Sequence, residues 1–279
     1  MKSVKKHFIK TLFIFFFISY SYLFGDTISI ATFNIRIFSN NSRDDEELLQ
    51  ICNILKEFDF IAIQEARDTE VLDRTVFMLK NQFNLDYRYL ASKKVGTERV
   101  KEIYAYLYRA DKVEAIRNFG VYPDEEDDFI REPFIAMFKA GEFDFYVINI
   151  HSVYGDRVRE RREEARKLAG VYAVVQSQDA ENDVLLLGDF NLGPDDIGFE
   201  SLKVIPNMIY VNSEVPTSIK DKLYDNIWFQ VHFTTEFTGT YGIIKFDEVL
   251  FGNDDKKASL TVSDHRPLWA EFDTSVDDD

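Results

Sequence analysis

Residues Ile28 to Phe33 alternate with a period of two, the signature of a strand half-buried against a core. Phe60 to Ile63, Ile103 to Tyr108, Phe134 to Phe138, Phe143 to Ile150 and Val184 to Leu187 are apolar runs rich in β-branched and aromatic residues, and they predict further strands. Ile227-Trp228-Phe229 and the segment after Pro267 read the same way. Helical stretches lie between them. Acids at Asp44, Asp45, Glu46 and Glu47 begin a helix that runs to about Phe58, where the positive end of the helix dipole favours them. A second helix spans about Asp68 to Phe83, and a third, laced with charge, about Asp156 to Gln178. Strands outnumber helices and often come in pairs joined by short turns. The pattern predicts an α+β fold in one domain, with two packed mixed β-sheets flanked by helices.

The first 25 residues break this pattern. Lys2, Lys5, Lys6 and Lys10 give a basic start, Leu12 to Ile18 form a bulky apolar run, and Ser19 to Gly25 lead into polar sequence at Asp26. That is the layout of a secretory signal peptide over residues 1–25, with the folded domain over 26–279. Ser21 and Gly25 are both small enough to precede a cleavage point. The apolar run is short for a membrane span of ~20 residues. Export, to the exterior or a periplasm, is therefore expected over an uncleaved N-terminal anchor.

Composition then narrows the class. With 46% hydrophobic and 29% charged residues the chain is globular rather than disordered. Its 26 Phe and 14 Tyr suit a thick sheet-based core. Cys52 stands alone in an apolar run, so no intramolecular disulfide can form and the residue reads as a small core side chain. Losing the leader removes four Lys and no acid, which takes the formal charge from −16 to −20. Such a field repels polyanions, so a nucleic-acid substrate would need local Arg, Lys or bound cations to attract it.

Candidate chemistry gathers where strands end. Asn34 follows the first strand, Gln64-Glu65 the second, and Asn149-Ile150-His151 closes a middle one. Gly188-Asp189-Phe190-Asn191 follows Val184 to Leu187, Tyr224-Asp225-Asn226 precedes Ile227, and Ser263-Asp264-His265-Arg266-Pro267 precedes the last strand. One polar strand end is ordinary, but six carrying Asn, Glu, Asp and His point to a shared site at one sheet edge. Beyond the leader the histidines are His151, His232 and His265. Two of these lie at strand ends, and His232, inside an aromatic run read as strand, is expected to be structural.

These elements resemble the endonuclease/exonuclease/phosphatase superfamily. The resemblance rests on Asn34-Ile35-Arg36, Gln64-Glu65-Ala66-Arg67-Asp68, Asn149-Ile150-His151-Ser152, Gly188-Asp189-Phe190-Asn191 and Ser263-Asp264-His265-Arg266-Pro267. Narrower elements resemble its deoxyribonuclease I-like branch: Lys101-Glu102-Ile103-Tyr104, Tyr108-Arg109-Ala110-Asp111-Lys112-Val113, Arg131-Glu132-Pro133 and Tyr224-Asp225. Together they cover about residues 27 to 273 in the same order.

The resemblance implies a four-layer α/β/β/α sandwich and a monomeric, metal-dependent endonuclease that cuts DNA, most readily duplex, leaving 5′-phosphate and 3′-hydroxyl ends. Hydrolysis of a phosphodiester needs an activated in-line water and cationic help for the developing charge. A hard cation prefers oxygen donors, and the resemblance assigns Mg²⁺ or Mn²⁺ to Asn34, Glu65 and Asp264, with Ca²⁺ as a structural option. Each His needs a carboxylate to fix its tautomer. The implied pairs are His151 with Glu102 and His265 with Asp225, one acting as acid and the other as base, in an order left open. Asp189 and Asn191 would orient the phosphate or a second cation. Arg36 and Arg67 would grip DNA, and Arg131 would contact phosphate or pair with a neighbouring acid. No stable protein partner is implied.

Two departures stand out. Val100 occupies the position where the family stacks a Tyr on a sugar, and the family's structural disulfide has no counterpart, leaving the Asp189–Asp225 loop to packing or metal. The charge and Val100 keep open a phosphodiesterase acting on a phospholipid, as a sphingomyelinase does, or on an inositol phosphate. The Gln-Glu-x-Arg-Asp and Arg-Glu-Pro elements speak against it. An inactive relative kept for binding would show a broken motif, and every expected polar position is filled. Arg157 to Lys167, with five Arg and one Lys among Glu160, Glu163 and Glu164, reads as a solvated helix face.

Overall fold

In a computed structural model, which describes residues 27–98, 100–178 and 180–276, thirteen strands form two sheets. The signal-peptide segment lies outside the described residues. One sheet holds β1 (Thr27–Phe38), β2 (Phe60–Ala66), β3 (Tyr87–Ala91), β4 (Val95–Thr97), β5 (Val100–Arg109), β12 (Phe237–Ile243) and β13 (Leu268–Asp273). The other holds β6 (Glu114–Val121), β7 (Phe134–Ala140), β8 (Phe143–His151), β9 (Val184–Asp189), β10 (Met208–Tyr210) and β11 (Asp225–Gln230). Both sheets are mixed: β1 pairs parallel with β2, β8 pairs parallel with β9, and their other neighbours are antiparallel.

The alternation in β1 sorts its side chains between two cores. Ile28 and Ile30 face the second sheet, where they join Phe60, Tyr106, Phe138, Phe145, Leu187 and Phe272. Ala31, Phe33 and Ile35 face outward beneath α1 (Asp45–Leu55) and α2 (Thr69–Phe83). A third core lies under α3 (Val158–Gln176), on the outer face of the second sheet. The layers are thus helix, sheet, sheet, helix. Between the sheets the rings pack at favourable offset and edge geometries, with Phe60 at 4.8 Å from Phe138 and Tyr106 at 4.9 Å from Phe134. Cys52 is buried in the α1 core, and burial pushes its thiol up to about 12, so it is inert.

The helix starts follow local chemistry. Asp44 caps α1 and forms a reciprocal capping box with Glu47, and Asp68 caps α2 by accepting from the Val71 N–H. The strands that the pattern did not predict are edge or short ones. In β6 and β12 most residues are partly or fully exposed, so no apolar period marks them. His232 corrects an expectation: it lies exposed in the turn beyond β11, not inside a strand.

Parallel pairing brings the polar ends together. In register, Asn34 lies beside Gln64, His151 beside Asp189, and Asp225 across from Asp189. Below this edge Gln64 donates to Asn149 across the sheets at 2.7 Å, and Asn149 donates to the Ile63 carbonyl at 3.2 Å, so the two sheets are locked together just under the site.

Candidate active site

Each of the two histidines at the strand ends is bound to its own carboxylate. His151 Nδ1 donates to Glu102 Oε1 at 2.7 Å, and His265 Nδ1 donates to Asp225 Oδ2 at 2.8 Å. That leaves both Nε2 atoms facing a third carboxylate, and each lies 3.6 Å from Asp189 Oδ2. The same oxygen accepts from Asn34 Nδ2 at 2.9 Å, while Asp189 Oδ1 accepts from the Asn191 N–H at 2.9 Å. All of these side chains are nearly closed to solvent, so the hydrogen bonds act in a low local dielectric.

Burial opposes charge on both rings, and the carboxylates overcome it. His265, facing Asp225, Asp189 and Asp264, is raised to about 10. His151, facing Glu102 and Asp189, is also raised above the ordinary range, although Arg131 works against it. Burial likewise opposes ionisation of Asp189, but the two imidazoles hold it below the usual carboxylate range.

The supporting residues fix this arrangement from several elements. The Tyr104 hydroxyl accepts from the His151 N–H at 2.9 Å. Arg131 donates from Nε and Nη2 to the His151 and Ser152 carbonyls, both at 2.8 Å, and its Nε lies 3.7 Å from Glu102. Its guanidinium is therefore committed in large part to holding the β8 end. Ser263 Oγ donates to the Asn34 carbonyl at 2.6 Å and accepts from the Arg36 and His265 N–H groups, tying the last loop to β1. Thr217 Oγ1 accepts from the Tyr224 and Asp225 N–H groups.

Glu65 and Asn191 are non-glycine residues with φ of 63° and 52°. Left-handed backbone costs of order 1 kcal/mol at such residues and persists where the surroundings enforce it. At Glu65 it turns the carboxylate toward Asn34, at 3.4 Å, and toward the Ile37 N–H, at 3.0 Å.

The site opens into a cavity of ≈ 630 Å³ lined by Asn34, Glu65, Arg67, Glu102, Arg131, His151, Asp189, Asn191, Asp264 and His265 among others. Of the residues expected from sequence, Asp225 sits behind His265, and Arg36 is not among the residues that line the cavity. Arg67 donates to the Lys101 carbonyl at 2.9 Å and to Glu65 at 3.3 Å. Several contributors were not legible beforehand. Tyr104, Ser263 and Thr217 act through hydrogen bonds to backbone groups that no motif spacing displays, and Lys220 and Lys222 reach the cavity from a loop. Nor is the basic helix face uniformly solvated. Glu164 is buried and accepts from Ile130 and Val153, while Arg161 donates to the Asn191 carbonyl at 2.9 Å.

The residues expected to hold a cation fit one. Asn34 Oδ1 is buried without a hydrogen-bond partner, Glu65 lies against the same side chain, and Asp264 lines the same cavity. All offer oxygen, as a hard divalent cation requires. Asp189, Asp225 and His265 form a second possible grouping, with ligand atoms within 4.8 Å of one another.

A sandwich of two mixed sheets with paired His–carboxylate couples at one edge defines a class, and comparison with known proteins agrees. The model of the endonuclease/exonuclease/phosphatase family matches residues 31–265, and the chain belongs to that family. Within it the chain is a deoxyribonuclease I-like member. It is 32% identical over 259 residues to a deoxyribonuclease of Thioalkalivibrio sp. (strain K90mix), covering 88% of this chain and 71% of that one. It is also 32% identical over 179 residues to deoxyribonuclease-1 of Bos taurus, covering 60% of this chain and 61% of that protein. The fold matches a D. rerio TDP2 structure complexed with a single-strand DNA product, with a TM-score of 0.62 at 14% identity over 88% of this chain and 98% of that one.

Proposed function

We propose that this chain is an exported, divalent-metal-dependent DNA endonuclease. The observation that carries the reading is the shared position of the two imidazoles, each fixed by its own carboxylate and each presenting Nε2 to Asp189 at 3.6 Å. One Nε2 takes a proton from the attacking water, and the other donates a proton to the departing 3′-oxygen. The P–O bond to the leaving group breaks as the bond to water forms, giving a 5′-phosphate and a 3′-hydroxyl. Glu102 and Asp225 hold Nδ1–H on each ring and stabilise the imidazolium, that of the acid before it gives up its proton and that of the base as it forms. Asp189 and Asn191 orient the phosphate between them. Mg²⁺ or Mn²⁺ held by Asn34, Glu65 and Asp264 would neutralise charge developing on the phosphoryl oxygens. Names of relatives support DNA as the substrate, and the basic, apolar leader supports export.

Substrate class is decided by a panel. Supercoiled plasmid, sphingomyelin vesicles and an inositol phosphate are each incubated with the domain from Asp26 onward and Mg²⁺. Breakdown of plasmid alone is expected. Lipid or inositol-phosphate hydrolysis with intact plasmid would replace the nuclease reading with the phosphodiesterase alternative.

A further inference from the structure

An acidic chain that takes a polyanion needs cations at its cavity, and most of those present are already engaged. Four Lys and Arg side chains line the cavity: Arg67, Arg131, Lys220 and Lys222. Arg67 binds a carbonyl and Glu65, and Arg131 binds two carbonyls beside Glu102. Lys220 and Lys222 are exposed, and among the described residues neither side chain is paired with a carboxylate or carbonyl.

The loop that carries them is rigidly tied to the catalytic machinery. Its neck closes on itself through the Thr217 and Ser218 N–H groups, both donating to the Lys222 carbonyl at 2.9 Å, and through the Lys222 N–H donating to Ser218 Oγ at 3.0 Å. Asp221 takes φ of 56° at the turn, and its charge acts on Arg266. The loop bonds directly to the segment bearing His265: Ile219 N–H donates to the Asp264 carbonyl at 2.9 Å, Arg266 N–H donates to the Thr217 carbonyl at 2.6 Å, and Ser218 bridges His265.

We propose that Lys220 and Lys222 are the principal phosphate-gripping residues of this enzyme, holding backbone phosphates that flank the scissile bond. The inference rests on the nuclease reading above and deepens it. Two free ammonium groups held in register with His265 place the strand relative to the acid–base pair while carrying no base specificity. They also offset the repulsion that the chain's formal charge of −16, or −20 without the leader, exerts on DNA.

The test is the salt dependence of plasmid nicking by the wild type, Lys220→Gln, Lys222→Gln and the double variant, with Lys220→Arg/Lys222→Arg as the conservative control. Each phosphate contact contributes roughly 0.9 to the slope of log affinity against log salt on duplex DNA. The double variant should lose about 1.8 of the slope in log(kcat/KM) and raise KM on the order of tenfold near 0.1 M salt, with kcat changed far less. Each single variant should lose about half of that slope, and the Arg pair should restore it. A wild type that nicks plasmid and a folded double variant with an unchanged slope would overturn the assignment while leaving the nuclease reading intact. Should the double variant unfold, the single variants carry the same test. A wild type inert on plasmid would remove the nuclease reading itself, and this assignment with it.

Discussion

His265 faces three carboxylates and His151 two, and the difference sets the pH behaviour of the site. In metal-free protein His265 rises from an ordinary value of 6.5 to about 10. A raised folded-state value stabilises the native state fully below about pH 6.5, and that contribution is lost as pH climbs through about 10. Thermal unfolding in EDTA should therefore show the wild type losing its advantage over His265→Gln across that window. An advantage that grew with pH would contradict the carboxylate-supported imidazolium. The partners are testable separately. Glu102→Gln and Asp225→Asn keep shape but remove the charge that supports each ring, and each should lower kcat on the order of 10²-fold or more. Each should also lower Tm near neutral pH, where that charge stabilises the imidazolium, while leaving the domain folded. Activity near wild type in either would mean that the Nδ1 hydrogen bonds at 2.7 and 2.8 Å are structural only.

Among the elements, β9 shows most sharply why its residues are what they are. Gly188 takes φ of 144°, and a Cβ there would overlap the Ile150 carbonyl of the paired β8. The glycine before Asp189 is thus required by the close approach of the two strands that deliver His151 and Asp189 to one place. Gly188→Ala should destabilise the domain by ~2–4 kcal/mol by forcing those strands apart, seen as a lower urea midpoint. An unchanged midpoint would show that the pairing can relax around a methyl group. The long loop between Asp189 and Asp225 has no disulfide, and packing takes its place. Arg162 from α3 forms a two-pronged ion pair with Asp196, and Tyr210 donates to Asp195 at 2.8 Å. Arg162→Ala should speed limited proteolysis between about Leu192 and Met208 under chelation. Cleavage there no faster than in the wild type would assign the loop's order to other contacts.

Across the whole molecule, the parts legible in sequence are those written in local pattern. Ile28 to Phe33 announced β1 by period, Asp44 and Asp68 announced two helix starts, and the polar ends at Asn34, Glu65, His151, Asp189, Asp225 and His265 do converge. What stayed hidden depends on three-dimensional neighbours. Edge strands such as β6 and β12 bury too little on either face to show a period. Glu164 sits among charges typical of a solvated helix, yet loops folding over α3 bury it. Arg43, which no sequence pattern marks, is buried, donating to the carbonyls of Leu260, Thr261 and Val262 and so securing the segment just before Ser263. Convergence of six strand ends says that a site exists; only the folded geometry shows two imidazoles sharing one carboxylate.

That sharing is tested most directly by nicking of supercoiled plasmid by the wild type, His151→Ala and His265→Ala, each with Mg²⁺ or Mn²⁺ and each with EDTA. Nicking that requires the cation and falls ~10²-fold or more in both variants, with both still folded, is the expected result. Metal-independent nicking, or full activity in either variant, would contradict a hydrolytic site built on these two imidazoles.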